Sequence, residues 1–168
     1  MKYIIDGVNY GRDLNAYVSK NFQYWEFVSS ELAVRLGIKN VPSEIEWKRI
    51  ELLVKEVVQP LRDKLGQPIK INSGFRCKAL NDAVGSTDTS FHRLGCAVDI
   101  DSDTIPLKTI LNAAYTLPKW SEIIAEYFPI GWVHVGYNDG DNRRMLKLKD
   151  NTHNYVKMPK TTLDTLYK

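Results

Sequence analysis

At 168 residues, with 43% hydrophobic and 26% charged residues, the chain has the length and balance of one domain that buries its own core. Its net charge of +3 comes from dispersed lysines and arginines, which does not single out nucleic acid as a partner. An anionic surface such as a cell-wall polymer stays open.

The N-terminus, Met1-Lys-Tyr-Ile-Ile-Asp6, has no apolar run long enough for a signal peptide, and no segment approaches the roughly 20 apolar residues of a membrane span. The expectation is synthesis in the cytoplasm without a signal peptide, with carriage or release by something else if the protein acts outside. Residues 1–20, with turn residues at Asp6-Gly7 and Gly11-Arg-Asp13, read as a short strand or an arm. Asn21 to Leu36 has helical spacing in Phe27, Leu32, Val34 and Leu36, closed by Gly37.

The clearest helix starts at Ser43, which with Glu46 makes a capping box. Trp47, Ile50, Leu53, Val54, Val57, Leu61 and Leu65 follow at helical spacing, so one face is core. Pro60 should kink this helix or split off a last turn, and Gly66 ends it. Pro68 to Asn72 alternates as a strand and Ser73-Gly74-Phe75-Arg76 is a turn. Lys78 to Val84 is a short helix closed by Gly85, and Ser86 to Ser90 is a polar loop.

Cys96 to Asp101 reads as a buried strand and Leu107 to Leu117 as a helix. Glu122–Glu126 and Trp132–Tyr137 read as strands around a turn with Pro129 and Gly131. Met145 to Lys149 reads as an edge strand with outward lysines, and the tail from Pro159 as a short amphipathic helix or a frayed end. Helices come first and most strands later, which predicts an α+β fold: helices packed on a small, mostly antiparallel sheet. One domain over 1–168 is expected, with a core of about 20–137, an arm at 1–19 and C-terminal strands and tail at 138–168.

The chemistry gathers in Ser90-Phe-His92-Arg-Leu-Gly95-Cys-Ala97-Val-Asp99 and in Trp132-Val-His134. Two of the three histidines lie here with a carboxylate. Zinc takes such ligands at about 2.0–2.2 Å, and three of them leave a fourth position open for water, as in a catalytic site. Ala97 and Asp99 share one strand face, and the small Ala97 leaves room beside Asp99. Val133 and Val135 point opposite to His134, so its imidazole projects alone. Taken singly, His134 also fits a hydrogen-bonded core histidine, Asp99 a turn or cap, and Ser90 a loop hydroxyl. The cysteines, Cys77 and Cys96, are too few for a disulfide framework or a Cys-based zinc finger. Their pairing is open, with two buried free thiols expected.

Jointly, Ser-x-His-x-x-Gly-x-Ala-x-Asp followed by Trp-x-His resembles the zinc signature of the M15 metallopeptidases. That group holds the D-alanyl-D-alanine carboxypeptidases and dipeptidases and phage endolysins that cut L-Ala-D-Glu bonds, and it shares its fold with the Hedgehog signalling domain. Phe22 to Ser29, Arg35 to Asn40, Pro60-Leu-Arg62, Ile69 to Arg76 and Asn81 to Gly85 also resemble its compact phage and bacterial branch. The resemblance spans roughly residues 20–137. It implies one zinc ion held by His92, Asp99 and His134, with Arg76 on the substrate carbonyl and its developing oxyanion, and Ser90 orienting the bound peptide. Arg76 also fits a structural salt bridge.

Many relatives carry Glu or Asp three residues before the last histidine, where this chain has Gly131. Glu126 is the better match to the glutamate of the compact branch and is expected as general base, with Glu122 the other nearby acid. The implied activity is zinc-dependent hydrolysis of peptidoglycan stem peptides, by carboxypeptidase or endopeptidase action, in phage or prophage wall lysis or remodelling. The alternative is a non-catalytic zinc-containing wall-binding or virion module. A monomer is expected.

Overall fold

The computed structural model describes residues 2–141, 143–149 and 154–157. The expected tail helix from Pro159 lies outside them. Five α-helices are described: α1 (Glu31–Leu36), α2 (Glu44–Leu53), α3 (Gln59–Leu65), α4 (Lys78–Ala83) and α5 (Leu107–Tyr115). Six strands, β1 (Lys70–Ser73), β2 (Ala97–Asp101), β3 (Glu122–Glu126), β4 (Trp132–Gly136), β5 (Met145–Lys149) and β6 (Tyr155–Lys157), form one sheet. Its order is β1-β2-β4-β3-β5-β6, and every pairing is antiparallel except β3 with β5. The fold is α+β, as the order of helical and alternating patterns predicts.

The helix from Ser43 is built as its sequence dictates. The Ser43 hydroxyl accepts from the Glu46 N–H at 3.5 Å, and the Ser43 N–H donates to Glu46 Oε2 at 2.7 Å; such a cap is worth about 1 kcal/mol. Its apolar face, Trp47, Ile50, Leu53, Val54, Val57 and Leu61, is wholly buried, each large side chain contributing about 1.5–3 kcal/mol. The disturbance expected at Pro60 appears upstream of it. Residues Val54–Val58 form a π-helical segment whose wider turn lets Gln59 N–H reach Val54 O, so the helix runs past a residue that has no N–H. Gly66 closes α3 in the left-handed conformation.

Two expectations need correction, and one open alternative is decided. The helical spacing of Asn21–Leu36 resolves into a 3-10 turn at Tyr24–Phe27 and the separate α1, because Ser30 caps a new helix with its side chain. Residues 2–19 contain no strand beyond an isolated bridge of Tyr17 with Gln23. They form an arm, tied down where Trp47 Nε1–H donates to Tyr10 O at 2.8 Å. Finally, β5 is not an edge strand: it lies between β3 and β6.

The sheet has two unlike faces. Val98, Ile100, Ile123, Ala125, Val133, Val135 and Leu146 point to the helices and are buried in the core they share with Ile110, Leu111 and Ala114 of α5. The alternate residues, Asp99, His134, Ile124, Glu122, Glu126, Lys147 and Lys149, line an open cleft of about 810 Å³.

Candidate metal centre

The register of the sheet places two of the candidate ligands side by side. Asp99 and His134 are directly opposite each other in the β2–β4 pair. His92 arrives from outside the sheet, on the turn that follows the Ser86–Ser90 loop. Gly95 ends that turn at φ +74°, and a side chain there would strike the Glu46 carbonyl at 2.8 Å. Position 95 therefore requires glycine twice over, for its backbone conformation and for the close approach of α2.

His92 is laced to the loop before α4. Its Nδ1–H donates to Gly74 O at 2.7 Å, and its carbonyl accepts from the Arg76 N–H at 3.1 Å. The first bond fixes the tautomer, so His92 Nε2 presents a lone pair to the cleft. Buried Asn40 holds the same loop in place. Its Nδ2 donates to Val28 O at 3.0 Å and to Phe75 O at 2.8 Å, and its Oδ1 accepts from the Cys77 N–H at 2.8 Å.

The three candidate atoms converge. His92 Nε2 lies 3.1 Å from Asp99 Oδ1 and 3.0 Å from His134 Nδ1, and His134 Nδ1 lies 2.9 Å from Asp99 Oδ1. A tetrahedral zinc with bonds of about 2.0–2.1 Å needs ligand atoms about 3.3–3.4 Å apart. The donor set fits such an ion after shifts of a few tenths of an ångström. All three residues are buried to within 4–5% of full exclusion from solvent. This is the one group of three or more potential ligands found among the described residues.

Burial alone would raise the Asp99 carboxyl, but the charged His134 imidazole, its Nδ1 2.9 Å from Asp99 Oδ1, holds it far below the usual carboxylate range. Burial pushes His92 down, keeping it neutral. Burial also works against a charge on His134, yet Asp99 and Glu122 outweigh it and raise that imidazole to about 9. In the metal-free chain His134 thus carries the positive charge that Asp99 demands.

Around this centre the other predicted residues take up distinct positions. Arg76 donates through Nη2 to Asp99 Oδ2 at 3.0 Å and through Nε to Ser73 Oγ at 3.1 Å, so it steadies the carboxylate as well as lining the cleft. Ser90 lines the cleft at the end of its loop. Glu126 is buried on the cleft face of β3, opposite Trp132 in the β3–β4 hairpin, and its Oε2 accepts from Lys149 Nζ at 2.9 Å. Gly131 precedes β4, and a Cβ there would sit 1.9 Å from the Glu126 carbonyl. No acid of any kind fits at that position. Cys77 and Cys96 are both free, and burial pushes the Cys96 thiol up to about 11.

Sequence reasoning named Glu122 and the lysines of β5 without placing them in the site. Glu122 touches His134 Nε2 at 3.4 Å, while Lys147 bonds Glu122 at 2.8 Å and Lys149 bonds Glu126. The expected outward lysines therefore face the cleft, because β5 runs parallel to β3 with Lys147 opposite Ile124 and Lys149 opposite Glu126. The alternation of Met-Leu-Lys-Leu-Lys puts both lysines on one face but cannot say which face. Asn40 gave no signal of its own beyond its place in a resembling stretch.

Among known proteins, no curated sequence matches the chain, whereas the family described as Peptidase M15 matches residues 20–136. That span holds His92, Asp99 and His134 together with Arg76, Ser90 and Glu126. The chain belongs to the M15 peptidase family and is a member of a group of zinc metallopeptidases.

Proposed function

We propose that the protein is a zinc-dependent hydrolase of peptide bonds in peptidoglycan stem peptides, encoded by a phage or prophage and acting in wall lysis or remodelling. The observation that carries this reading is the convergence of His92 Nε2, Asp99 Oδ1 and His134 Nδ1 within 2.9–3.1 Å at the floor of an open cleft. A zinc ion held there supplies a Lewis acid for the scissile carbonyl and a means of acidifying water.

The chain's own residues do the rest. Glu126 takes the proton of the attacking water and hands it to the leaving amine as the new C–O bond forms and the C–N bond breaks. Lys149 holds one carboxylate oxygen of Glu126, fixing the base on its strand and leaving the other oxygen for the transfer. Arg76 shares the negative charge that develops on the carbonyl oxygen, from a position already set by Asp99 and Ser73. Ser90 orients the peptide from the loop side of the cleft. The walls add Arg143, Lys147 and Lys149 to Arg76, against Asp99, Glu122 and Glu126, so with a divalent ion bound the cleft favours an anionic peptide.

Glu126→Gln tests the assignment and also separates an enzyme from a wall-binding module. The variant should keep its zinc and lose about 10²–10⁴-fold in turnover of purified peptidoglycan. Unchanged turnover would remove Glu126 from the chemistry. A zinc-loaded wild type that binds walls but releases no products would favour the non-catalytic module.

A further inference from the structure

In the row of residues that crosses the sheet beside the metal centre, the members from β2 and β4 are small. Ala97 of β2 and Glu122 of β3 both pair with Gly136 of β4. The ring of Phe91 lies over Gly136, so close that a Cβ there would meet its Cδ2 at 2.6 Å. Glu122 lies on the same face as His134, two pairs away along the β3–β4 ladder, and its side chain reaches towards that imidazole. Its Oε1 stops 3.4 Å from His134 Nε2, the ring nitrogen that faces away from Asp99 and His92. That nitrogen is buried and has no hydrogen-bond partner. Lys147 Nζ holds the other carboxylate oxygen of Glu122 at 2.8 Å.

We propose that Glu122, clamped by Lys147, is a positioning residue that orients His134 as a metal ligand through Nδ1. This inference rests on the reading of His92, Asp99 and His134 as the metal centre. An imidazole can bind a metal through either nitrogen, and the group that accepts a proton from the other nitrogen decides which. Gly74 O performs that service for His92, on the opposite side of the centre and with the opposite nitrogen. Glu122 performs it for His134. A movement of less than half an ångström, on the scale of the ligand shifts that zinc requires, turns the 3.4 Å contact into a hydrogen bond. Asp99 cannot take this part, since its Oδ1 faces His134 Nδ1 and its Oδ2 is held by Arg76. The clamp joins two regions: Glu122 lies within residues 20–136 that match the family, and Lys147 lies beyond them.

The test is zinc affinity, measured by competition with a chromogenic chelator, on the full chain and on Glu122→Gln, Glu122→Ala and Lys147→Met. Thermal unfolding of each metal-free variant runs beside it. The expected result is a loss of about 10–100-fold in affinity for Glu122→Ala, with Glu122→Gln retaining part of it through its amide oxygen. Lys147→Met should fall between wild type and Glu122→Ala. Nitrogen NMR of the zinc-loaded wild type should show His134 with Nε2 protonated and Nδ1 on the metal. Wild-type affinity in Glu122→Ala, with only its melting temperature lowered, would make the pair a strand tie and overturn the proposal; so would Nε2 on the metal. If Glu122→Ala does not fold, Glu122→Gln and Lys147→Met decide by the same affinity readout. A wild type that binds no zinc overturns the metal centre itself and this inference with it.

Discussion

The residue with the most to reveal is His134, because it must exchange a proton for a metal. Its imidazole, raised to about 9, is protonated at neutral pH in the metal-free chain, while burial keeps His92 neutral. Zinc binding near pH 7.5 should therefore release about one proton, and apparent affinity should rise about tenfold per pH unit until pH 9. Calorimetry in two buffers of different ionisation heat measures the release. The sign for stability runs the other way. A folded value above the ordinary 6.5 stabilises the metal-free chain fully below that pH, and the contribution fades as pH rises through about 9. The metal-free protein should lose melting temperature over that interval and the zinc-loaded protein should not. His92, Asp99 and His134 were legible as a joint pattern. Glu122 was not, because a carboxylate four residues from a better candidate acquires its meaning only when the structure sets it against His134 Nε2.

At the scale of elements, the loops that aim the ligands are held as firmly as the strands. Asn40 closes three hydrogen bonds between the Val28 region and the Phe75–Cys77 loop, in a site 2% exposed. Asn40→Ala leaves buried backbone groups unpaired at about 1–3 kcal/mol each, partly relieved by water, and should destabilise the protein by about 2–4 kcal/mol in urea titration. The β3–β4 turn is equally exacting. Gly131→Ala forces a Cβ against the Glu126 carbonyl and should cost about 1–3 kcal/mol, with turnover falling as the turn displaces Glu126. Equal stability and turnover in that variant would show the turn to be more pliant than its geometry implies. The strands β1 to β4 and the long helix were readable from alternation, caps and terminal glycines. The inner position of β5 was not, since its pairing with β3 is parallel and non-local. The three residues of β6 carry too little pattern to be read alone.

The whole molecule divides its labour between two faces of one sheet. One face is sealed by α5 and its neighbours, and the other presents Asp99, His134, Glu122, Glu126, Lys147 and Lys149 to an open cleft that His92 and Arg76 enter from outside the sheet. The α+β class followed from the order of the elements, and the metal cluster from residue types and spacing. Arg143, Met145, Lys147, Lys149 and Tyr155, which also line the cleft, lie beyond the matched family region, and their place there came only from the structure. No helix among the described residues is long and apolar enough to cross a membrane. The proposed role of the cluster of His92, Asp99 and His134 is peptide hydrolysis in the cell wall. Incubation of the full-length protein with purified peptidoglycan, with products read by mass, tests it most directly. New stem-peptide termini should appear, vanish on chelation and return with stoichiometric zinc. Products that persist unchanged under chelation, or a zinc-loaded protein that releases none, would contradict it.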